Sequence, residues 1–419
     1  MDNKAIQDTS SLASTLFERF FEDWTHLSDE HFLDYLKPKI DQIITLEELE
    51  KKLASNKRLK IKFGIDPTSA DVHLGHALPI MVLRQFQKAG HEIHLIIGDF
   101  TAMIGDPSGR NDQRPPLNEK DIKNNFKTYL SQIGKFLDVK KTKNHRNSKW
   151  LSKRTVRDII SDLQRINLSE VLQRDDFRKR IEQGYALSVA ELLYSYAQGV
   201  DSIVLEPDVE VGGRDQLLNF AHARKIMELH GQEPEIALTT PVLEGTSGDG
   251  RKMSKSLGNY VALNMSLEDT FGKIMSLPDS LLEQYYKAFA DVKKSELPLL
   301  QELIAQDPLE AKKQLAQFLV SVEAKDFRIG EKEREKFENK FSKKEYSDIP
   351  TLEVESGATI ISVLEKSGEL NSKSEIRRLF EGGGVRMVEP EEKDLGPNDK
   401  VENGVLRVGK KKFFRIVVK

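Results

Sequence analysis

Apolar and polar positions follow one another near the start of the chain in an order that predicts a strand, a helix and a second strand. The strands are the β-branched runs LKIKFGID (59–66) and HEIHLIIGDF (91–100), and the helix is ALPIMVLRQFQKAG (77–90). Two strands joined by a helix at this spacing form a βαβ unit, in which the strands are parallel. The pattern therefore predicts an α/β fold built on a Rossmann-like parallel sheet.

The rest of the chain divides into regions with different patterns. Residues 117–193 are helical in pattern and predict a helical insertion, after which residues 201–229 return to strand, glycine turn and helix. A helix-rich stretch follows, SDIPTLEV (347–354) predicts a linker, and the end of the chain combines a helix with short strands. We therefore predict an α/β domain at 1–262, to which any catalytic role would fall, an α-helical domain at 263–346 and a small α+β domain at 351–419.

Composition excludes several classes of protein. A chain of 419 residues is long for one hydrophobic core, and it contains no cysteine, so disulfides, thiolate metal sites and cysteine nucleophiles are excluded. Charged residues make up 31%, and no apolar run is long enough to span a membrane. The first residues lack the basic start and apolar stretch of a secretory signal, which predicts a cytoplasmic protein. The net charge of −3 neither indicates nor excludes a nucleic-acid partner.

The first candidate for chemistry is DVHLGH (71–76), which contains His73 and His76. Three interpretations are open: a metal site, a pair of structural imidazoles, or the start of a nucleotide pocket. Zinc would need a third ligand, and the nearest acid is Asp71. A position between the end of a parallel strand and the start of a helix favours a phosphate instead.

Two glycine-rich segments could complete such a pocket. GDPSGRNDQR (105–114) contains Asp106, Arg110 and Arg114, and EGTSGDGRKMSKSLGN (244–259) contains Lys252 and Lys255. A loop with two lysines could close over a triphosphate and form charge-assisted hydrogen bonds to it. Taken alone, the first segment is an ordinary turn and the second a solvated basic loop.

Taken together, the motifs resemble those of a known family. HLGH after DPT, followed much later by KMSKS, is similar to the two ATP-binding motifs of class I aminoacyl-tRNA synthetases. Four further runs resemble the bacterial tyrosyl-tRNA synthetases of the branch that carries KMSKS: FGIDPTSADVHLGH, GDFTAMIGDPSGRNDQRPPL, ELLYSYAQGVDS and VGGRDQLLNF. The resemblance covers most of residues 55–265.

The resemblance implies an ATP site whose residues act by position and charge, since neither step of aminoacylation requires a protein nucleophile. It implies catalytic roles for Thr68, His73, His76, Arg110, Arg114, Lys252, Lys255 and Ser256. It implies ATP contacts from Gly64, Asp66, Gly75, Gly213, Asp215 and Met253. Magnesium is expected to arrive with ATP as part of the substrate, and neither a protein metal site nor a tightly bound cofactor is expected.

The resemblance also implies a site for L-tyrosine. Asp201 would bind the phenol, Tyr194 and Gln198 would hold the amino group with help from Asp106, and Gln216 would lie near the carboxylate. Without the other motifs, Tyr194, Gln198 and Asp201 could be a polar stripe on an exposed helix. Two positions depart from the family: Lys62 stands where many tyrosyl enzymes have a tyrosine, and Arg214 where serine or threonine is common.

The last region is basic in places and resembles the S4-type RNA-binding module that ends bacterial tyrosyl enzymes. Arg377, Arg378, Lys411 and Lys412 are its predicted contacts to tRNA. The resemblance implies a helical domain that meets the anticodon region, tRNA(Tyr) as partner and a homodimer packed through the inserted helices.

Three alternatives stay open at this point. A tryptophanyl enzyme shares the architecture but gives no reason for Asp201. An RNA-binding protein on a synthetase body without chemistry gives no reason for an intact KMSKS. A metal hydrolase built on His73 and His76 lacks a third ligand.

Overall fold

The chain folds into two compact units, residues 1–334 and residues 335–419. The computed structural model describes residues 6, 8–55, 57–67, 72–105, 119–164, 166–172, 175–185, 188–341, 349–366, 373–409 and 412–419. Within these ranges, no helix is long and apolar enough to cross a membrane.

The strands form one sheet in each unit. Those of the first unit are β1 (Gln42–Ile44), β2 (Lys60–Ile65), β3 (Glu92–Ile97), β4 (Lys143–Arg146), β5 (Val209–Gly213) and β6 (Ile236–Thr240). Those of the second are β7 (Thr351–Val354), β8 (Val385–Glu389), β9 (Lys393–Asp394), β10 (Gly404–Val408) and β11 (Lys412–Val418).

Helices surround the first sheet and fill the region that follows it. The helices up to the last strand of that sheet are α1 (Leu12–Phe21), α2 (Asp29–Leu36), α3 (Leu46–Ala54), α4 (Leu74–Lys88), α5 (Thr101–Ile104), α6 (Glu119–Ile133), α7 (Ser148–Leu151), α8 (Val156–Leu163), α9 (Leu168–Val171), α10 (Asp175–Glu182), α11 (Val189–Leu192), α12 (Tyr194–Leu205) and α13 (Leu217–Leu229). The later helices are α14 (Leu267–Met275), α15 (Leu282–Phe289), α16 (Leu297–Gln306), α17 (Pro308–Ala324), α18 (Phe327–Phe341), α19 (Ile360–Lys366) and α20 (Lys373–Glu381).

The first sheet has the order β1-β6-β5-β2-β3-β4, in which β2 to β6 are parallel and β1 is antiparallel to β6. The chain moves outward from β2 to β3 and β4 and then returns to the other side of β2 with β5 and β6. The order therefore reverses between β2 and β5, and ligands of open α/β sheets bind outside the carboxyl ends of strands at such a point. The predicted α/β fold with a Rossmann-like sheet is confirmed.

Two elements differ from the sequence prediction. Lys143–Arg146 is an edge strand that pairs with β3, so the stretch 117–193 is not helical throughout, and the inserted helices begin only after β4. KNHR contains no apolar residue, and a polar edge strand gives no periodic signal. Thr351–Val354 belongs to the second sheet through β11, although SDIPTLEV was expected to be a linker.

Helix α4 is tied to the N-terminal and later helices by Asp291, whose carboxylate is fully buried. Asp291 accepts hydrogen bonds from Arg84 (2.9 Å), Lys88 (3.1 Å) and Gln85 (3.1 Å), all on α4. The ammonium of Lys39 donates to the carbonyls of Lys287 and Ala290 close by. Although burial acts to raise it, the pKa of Asp291 is held well below its usual range by these cations.

The N-terminal helices cover the same cluster with aromatic rings. The Lys88 ammonium lies 3.7 Å from the centre of the Trp24 ring, and the Arg84 guanidinium lies 3.3 Å from that of Phe20. Arg19 on α1 forms an ion pair with Glu296 (2.6 Å) and donates to the carbonyl of Asp291. The N-terminal residues therefore close the buried end of α4, in addition to adding a strand to the sheet.

The second unit is a five-stranded sheet of order β7-β11-β10-β8-β9, with α19 and α20 packed together. Its core consists of Ile360, Val363, Leu364, Ile376, Val385, Val401, Leu406, Val408, Phe414 and Ile416. This is the small α+β architecture predicted for the end of the chain.

The Asp291 cluster generates a stability prediction. Asp291→Ala leaves Arg84 and Lys88 buried without their anion, and loss of one partner of a buried ion pair costs about 3 to 5 kcal/mol. We expect the free energy of unfolding of the first unit to fall by this amount in urea titrations. The control is Glu182→Ala, whose exposed carboxyl pairs only loosely with the exposed Arg178, and we expect it to unfold as the wild type does. Equal stability of the two variants would contradict the role of the cluster.

Candidate functional site

Open space borders the carboxyl end of the central strand β2, and we call this space the cleft. Gly64 is exposed although it lies in the central strand β2, and a Cβ atom added there would meet nothing within 4 Å. Gly213 ends β5 on the other side of the point where the strand order reverses. The predicted nucleotide contacts Gly64 and Gly213 therefore lie at the position where this fold binds ligands.

His73 and His76 lie at the start of α4, the helix that follows β2 in the chain. Their rings are stacked with centres 3.8 Å apart, and the backbone N–H of His73 donates to His76 Nδ1 at 3.4 Å. His73 is buried, and none of the described residues forms a hydrogen bond with its Nδ1 atom. Burial, with help from His76, Lys255 and Lys252, lowers the pKa of His73 to about 3, so the ring is neutral at pH 7.

Among the residues that the structure describes, no group of three or more His, Asp or Glu side chains could hold a metal ion. A neutral imidazole beside the N-terminus of a 15-residue helix is suited to donate a hydrogen bond to an anion.

The KMSKS loop is joined to the start of α4, so the two sequence motifs meet in space. The Gly75 N–H points to Met253 Sδ at 3.3 Å, and His73 forms a β-bridge with Ala262, just after the loop. The N–H of Leu74 donates to the Val261 carbonyl at 2.9 Å. The loop therefore lies beside the N-terminal end of α4.

Within the loop, Asn259 fixes the backbone while the charged side chains stay accessible. The Ser254 N–H donates to Asn259 Oδ1 at 2.8 Å, and Asn259 Nδ2 donates to the Lys252 carbonyl at 3.3 Å. Lys252 and Ser256 are exposed, and Lys255 is half-buried. Both lysines can therefore reach a ligand in the cleft from a supported backbone.

Asp66 follows β2 and receives two hydroxyl groups. Tyr194 donates to Asp66 Oδ2 at 2.9 Å, and Thr101 donates to Oδ1 at 2.7 Å. A Cβ atom added to Gly98 would lie 1.9 Å from Asp66 Oδ1, so only glycine leaves room for this carboxylate. These contacts connect the predicted ATP contact Asp66 to the predicted substrate contact Tyr194.

Asp201 lies on α12 and is buried. It accepts hydrogen bonds from Trp150 Nε1 at 2.7 Å and from Asn147 Nδ2 at 3.3 Å. Burial raises the pKa of Asp201 to about 7, while the Trp150 N–H and the positive charge of Lys62 act in the opposite direction. Asp201 is thus a buried carboxyl held in one orientation, and the exposed polar stripe considered from the sequence is ruled out for it.

Lys62, whose charge acts on Asp201, is fully buried and contacts a separate set of side chains. Its ammonium pairs with Glu210 (2.9 Å) and Glu235 (3.2 Å) and donates to the Ser202 hydroxyl. Because an ammonium has three N–H groups, these partners use all of its donors. Lys62 therefore does not replace the tyrosine of other family members as a partner for a substrate.

The remaining predicted residues of the first unit lie near the same strands. Gln198 is half-buried on α12 and donates from Nε2 to Glu210 Oε1 at 3.0 Å. Gln216 accepts from Asn219 at 2.8 Å, and Asp215 lies in the same short turn after β5. Arg214 is exposed, 3.6 Å from Asp41. The structure gives no further reason for the arginine.

Five predicted residues fall outside the described part of the chain: Thr68, Asp106, Arg110, Arg114 and Lys411. Arg377 and Arg378 on α20 and Lys412 on β11 are exposed on the second unit.

Sequence reasoning missed the partners of Asp201 and Lys62. The run RNSKW (146–150) lies in a polar stretch without periodicity, and its sole signal is that Trp150 is one of two tryptophans in the chain. The sole sequence signal for Glu210 and Glu235 was the lysine at position 62, because a lysine in a buried strand needs a buried anion as its partner.

The chain is similar in sequence to known proteins over most of its length. A family model described as "tRNA synthetases class I (W and Y)" matches residues 54–336. A tyrosine–tRNA ligase of Thermotoga maritima is 39% identical over 93% of this chain and 98% of its own length, and one of Aquifex aeolicus is 40% identical over 93% and 100%.

Solved structures show the same fold. A truncated mitochondrial tyrosyl-tRNA synthetase of Coccidioides posadasii has a TM-score of 0.59 at 23% identity, covering 78% of this chain and 97% of that protein. A tyrosyl-tRNA synthetase of Archaeoglobus fulgidus, solved with L-tyrosine, has a TM-score of 0.56 at 22% identity, covering 72% and 99%.

The depressed pKa of His73 generates a prediction about pH. The imidazole binds its proton more weakly in the folded protein than in the unfolded chain, so stability is complete above pH 6.5 and falls as the pH is lowered from 6.5 toward 3. Between pH 7 and pH 5 the contribution of His73 amounts to about 2 kcal/mol. We expect His73→Gln to lose less unfolding free energy than the wild type over this interval in urea titrations. His26→Gln, at an exposed position, is the control, and equal losses in all three proteins would contradict the burial of a neutral His73.

Proposed function

The chain belongs to the class I tRNA synthetases of the tryptophan and tyrosine group, and on that premise we propose that it works as a tyrosine–tRNA ligase. It activates L-tyrosine with ATP to form tyrosyl-adenylate and pyrophosphate. It then transfers the tyrosyl group to the 3′-terminal ribose of tRNA(Tyr).

The observation that carries the choice of tyrosine is the buried carboxyl of Asp201. A buried acceptor aligned by Trp150 and Asn147 suits the hydroxyl of a phenol. Phenylalanine would not supply the hydrogen bond that the phenol donates to this carboxyl, and sites of this kind reject the analogue that lacks the hydroxyl by about 10⁵-fold. Tyr194 and Gln198, one helical turn apart on α12, would accept from the substrate ammonium with Asp106, and Gln216 would contact its carboxylate.

In the activation step, a carboxylate oxygen of tyrosine bonds to the α-phosphorus of ATP as the bond to the pyrophosphate oxygen breaks. No protein nucleophile is needed, so the site accelerates the step by positioning the reactants and stabilising charge. The neutral ring of His73, whose Nδ1 has no partner among the described residues, and the exposed His76 would donate to phosphate oxygens. Thr68, Arg110 and Arg114 would add further contacts.

The KMSKS loop would stabilise the leaving pyrophosphate. Lys252, Lys255 and Ser256 lie on a loop whose backbone is fixed by Asn259 and whose Met253 contacts the start of α4. Their charge becomes most useful as negative charge builds up on the β- and γ-phosphates, and ATP brings its Mg²⁺ with it as substrate. Gly64, Asp66, Gly75, Gly213 and Asp215 would contact the rest of the nucleotide.

In the second step the ribose hydroxyl of tRNA attacks the carbonyl carbon of the adenylate, and AMP leaves. The second unit would bind tRNA as an S4-like module through Arg377, Arg378, Lys411 and Lys412, and residues 263–346 would meet the anticodon region.

We further propose a homodimer that acts in the cytoplasm. The homodimer is supported by a set of exposed apolar side chains on the inserted helices, which a partner subunit would cover: Val156, Ile160, Leu168, Ile181 and Val189.

Tyrosine-dependent ATP–pyrophosphate exchange tests the reaction and the pocket together. Without tRNA, we expect exchange with tyrosine and none with tryptophan or phenylalanine. Asp201→Ala should abolish it because the phenol loses its acceptor, and His76→Ala should reduce it by about 10²- to 10³-fold, as loss of one transition-state donor does. His26→Ala, at an exposed position, should retain wild-type exchange.

Exchange with another amino acid would leave the reaction class in place and contradict the choice of tyrosine. No exchange with any of them would favour an RNA-binding protein without chemistry.

Binding of tRNA tests the second unit. Arg377→Ala should weaken tRNA affinity and lower the slope of log affinity against log salt by about 1, because one phosphate contact is lost. Exchange without tRNA should stay unchanged. Lys393→Ala is the matched control, since this exposed lysine already pairs with Glu402 at 2.9 Å. A salt slope equal to that of the wild type would contradict a phosphate contact from Arg377.

A further inference from the structure

A group of buried charges lies below the cleft and has no part in the reaction described above. Lys62, Glu210 and Glu235 are each no more than 1% exposed, and Ser202 is fully buried beside them. Lys62 and Glu210 are register partners on the adjacent strands β2 and β5. Gly64, which borders the open cleft, lies two residues after Lys62 and therefore on the same face of β2.

The contacts indicate how these charges are balanced. The Oε1 atoms of Glu210 and Glu235 accept from Lys62, while their Oε2 atoms are buried without a hydrogen bond to any described residue. Burial and then Glu235 raise the pKa of Glu210 well above its usual range. One lysine and two carboxyl groups that hold one proton carry no net charge, which is the state that a buried site favours.

Glu210 also connects this cluster to the cleft through Gln198. Gln198 Nε2 donates to Glu210 Oε1 at 3.0 Å, and Glu210 offers an oxygen at that atom whether its carboxyl is protonated or not. Among the described residues, none donates a hydrogen bond to Gln198 Oε1. An amide whose nitrogen is bound to a buried acceptor presents its oxygen on the other side, and Gln198 is half-buried at the cleft.

We propose that Glu210 is a positioning residue that fixes the amide of Gln198 so that its oxygen faces the substrate ammonium. This inference rests on the proposed function, since it takes the substrate to be an amino acid whose ammonium meets Gln198. Lys62 holds Glu210 in place and does not touch the substrate, because its donors are used within the cluster. The reversed amide would point an N–H at the ammonium, and two donors repel.

The test compares the binding of two ligands that differ in the ammonium group alone. We would measure the dissociation constants of L-tyrosine and of 3-(4-hydroxyphenyl)propionate, which is the same molecule without the ammonium group, by calorimetry. In Glu210→Met, which has a similar volume and no acceptor, we expect tyrosine to bind about tenfold more weakly, as for loss of one hydrogen bond to a charged group. The analogue should bind as it does to the wild type. In exchange assays the KM for tyrosine should rise more than kcat falls.

Two variants provide matched comparisons. Glu210→Gln keeps an oxygen toward Gln198 and should restore the wild-type preference for tyrosine over the analogue. Glu235→Met removes a carboxyl from the same cluster without removing the acceptor of Gln198, so any general loss of packing should affect both ligands equally. A tyrosine-to-analogue ratio that Glu210→Met leaves unchanged would overturn the proposal, and so would an equal change of that ratio in Glu235→Met.

Folding is checked by the thermal midpoint of each variant. If Glu210→Met does not fold, the triple variant Lys62→Met, Glu210→Met and Glu235→Met replaces it, because exchanging a whole buried ionic group for apolar residues is often neutral for stability. The same change of ratio is expected there. Failure of the proposed function would be seen separately, as a wild-type protein that neither binds tyrosine nor supports exchange with it.

Discussion

The structure depends most on the burial of one anion, Asp291, against the cations of α4. Arg84 and Lys88 extend from that helix to the carboxylate, and Arg19 binds the carbonyl of the same residue from the N-terminal helix. Two parts of the chain, distant from each other in sequence, are thereby fixed to one helix. Since His73 caps the start of α4, the position of its imidazole is set by a cluster at the opposite end of the same helix.

Helix α4 and the KMSKS loop, which lie on two sides of His73, are held by different kinds of contact. On the helix side the support is ionic and buried, whereas on the loop side the Gly75 N–H meets the soft sulfur of Met253. A reaction that proceeds by positioning needs one fixed wall, and a charged loop that closes over ATP needs contacts that break at low cost. The distribution of strong and weak contacts around His73 agrees with both needs.

Sequence reasoning predicted the elements with strong apolar periodicity and the segments with family motifs. β2, α4 and β3 are therefore where the pattern placed them, and Asp201 is buried on the helix that carries Tyr194 and Gln198. β4 was missed because an edge strand made of polar residues has no periodic pattern.

The partners of the site were missed for a different reason. Trp150 acts on Asp201 from 51 positions away, and Glu235 acts on Lys62 from 173 positions away. Such contacts arise from strand order and helix packing, which no local pattern encodes. The lysine at position 62 was recognised as unusual, but its meaning depends on the strand that pairs with it. For efforts to broaden the range of amino acids that this pocket accepts, position 62 is consequently not an independent site of variation. A library that changes it alone leaves two carboxyls buried without their cation, so positions 62, 210 and 235 have to be randomised as one set.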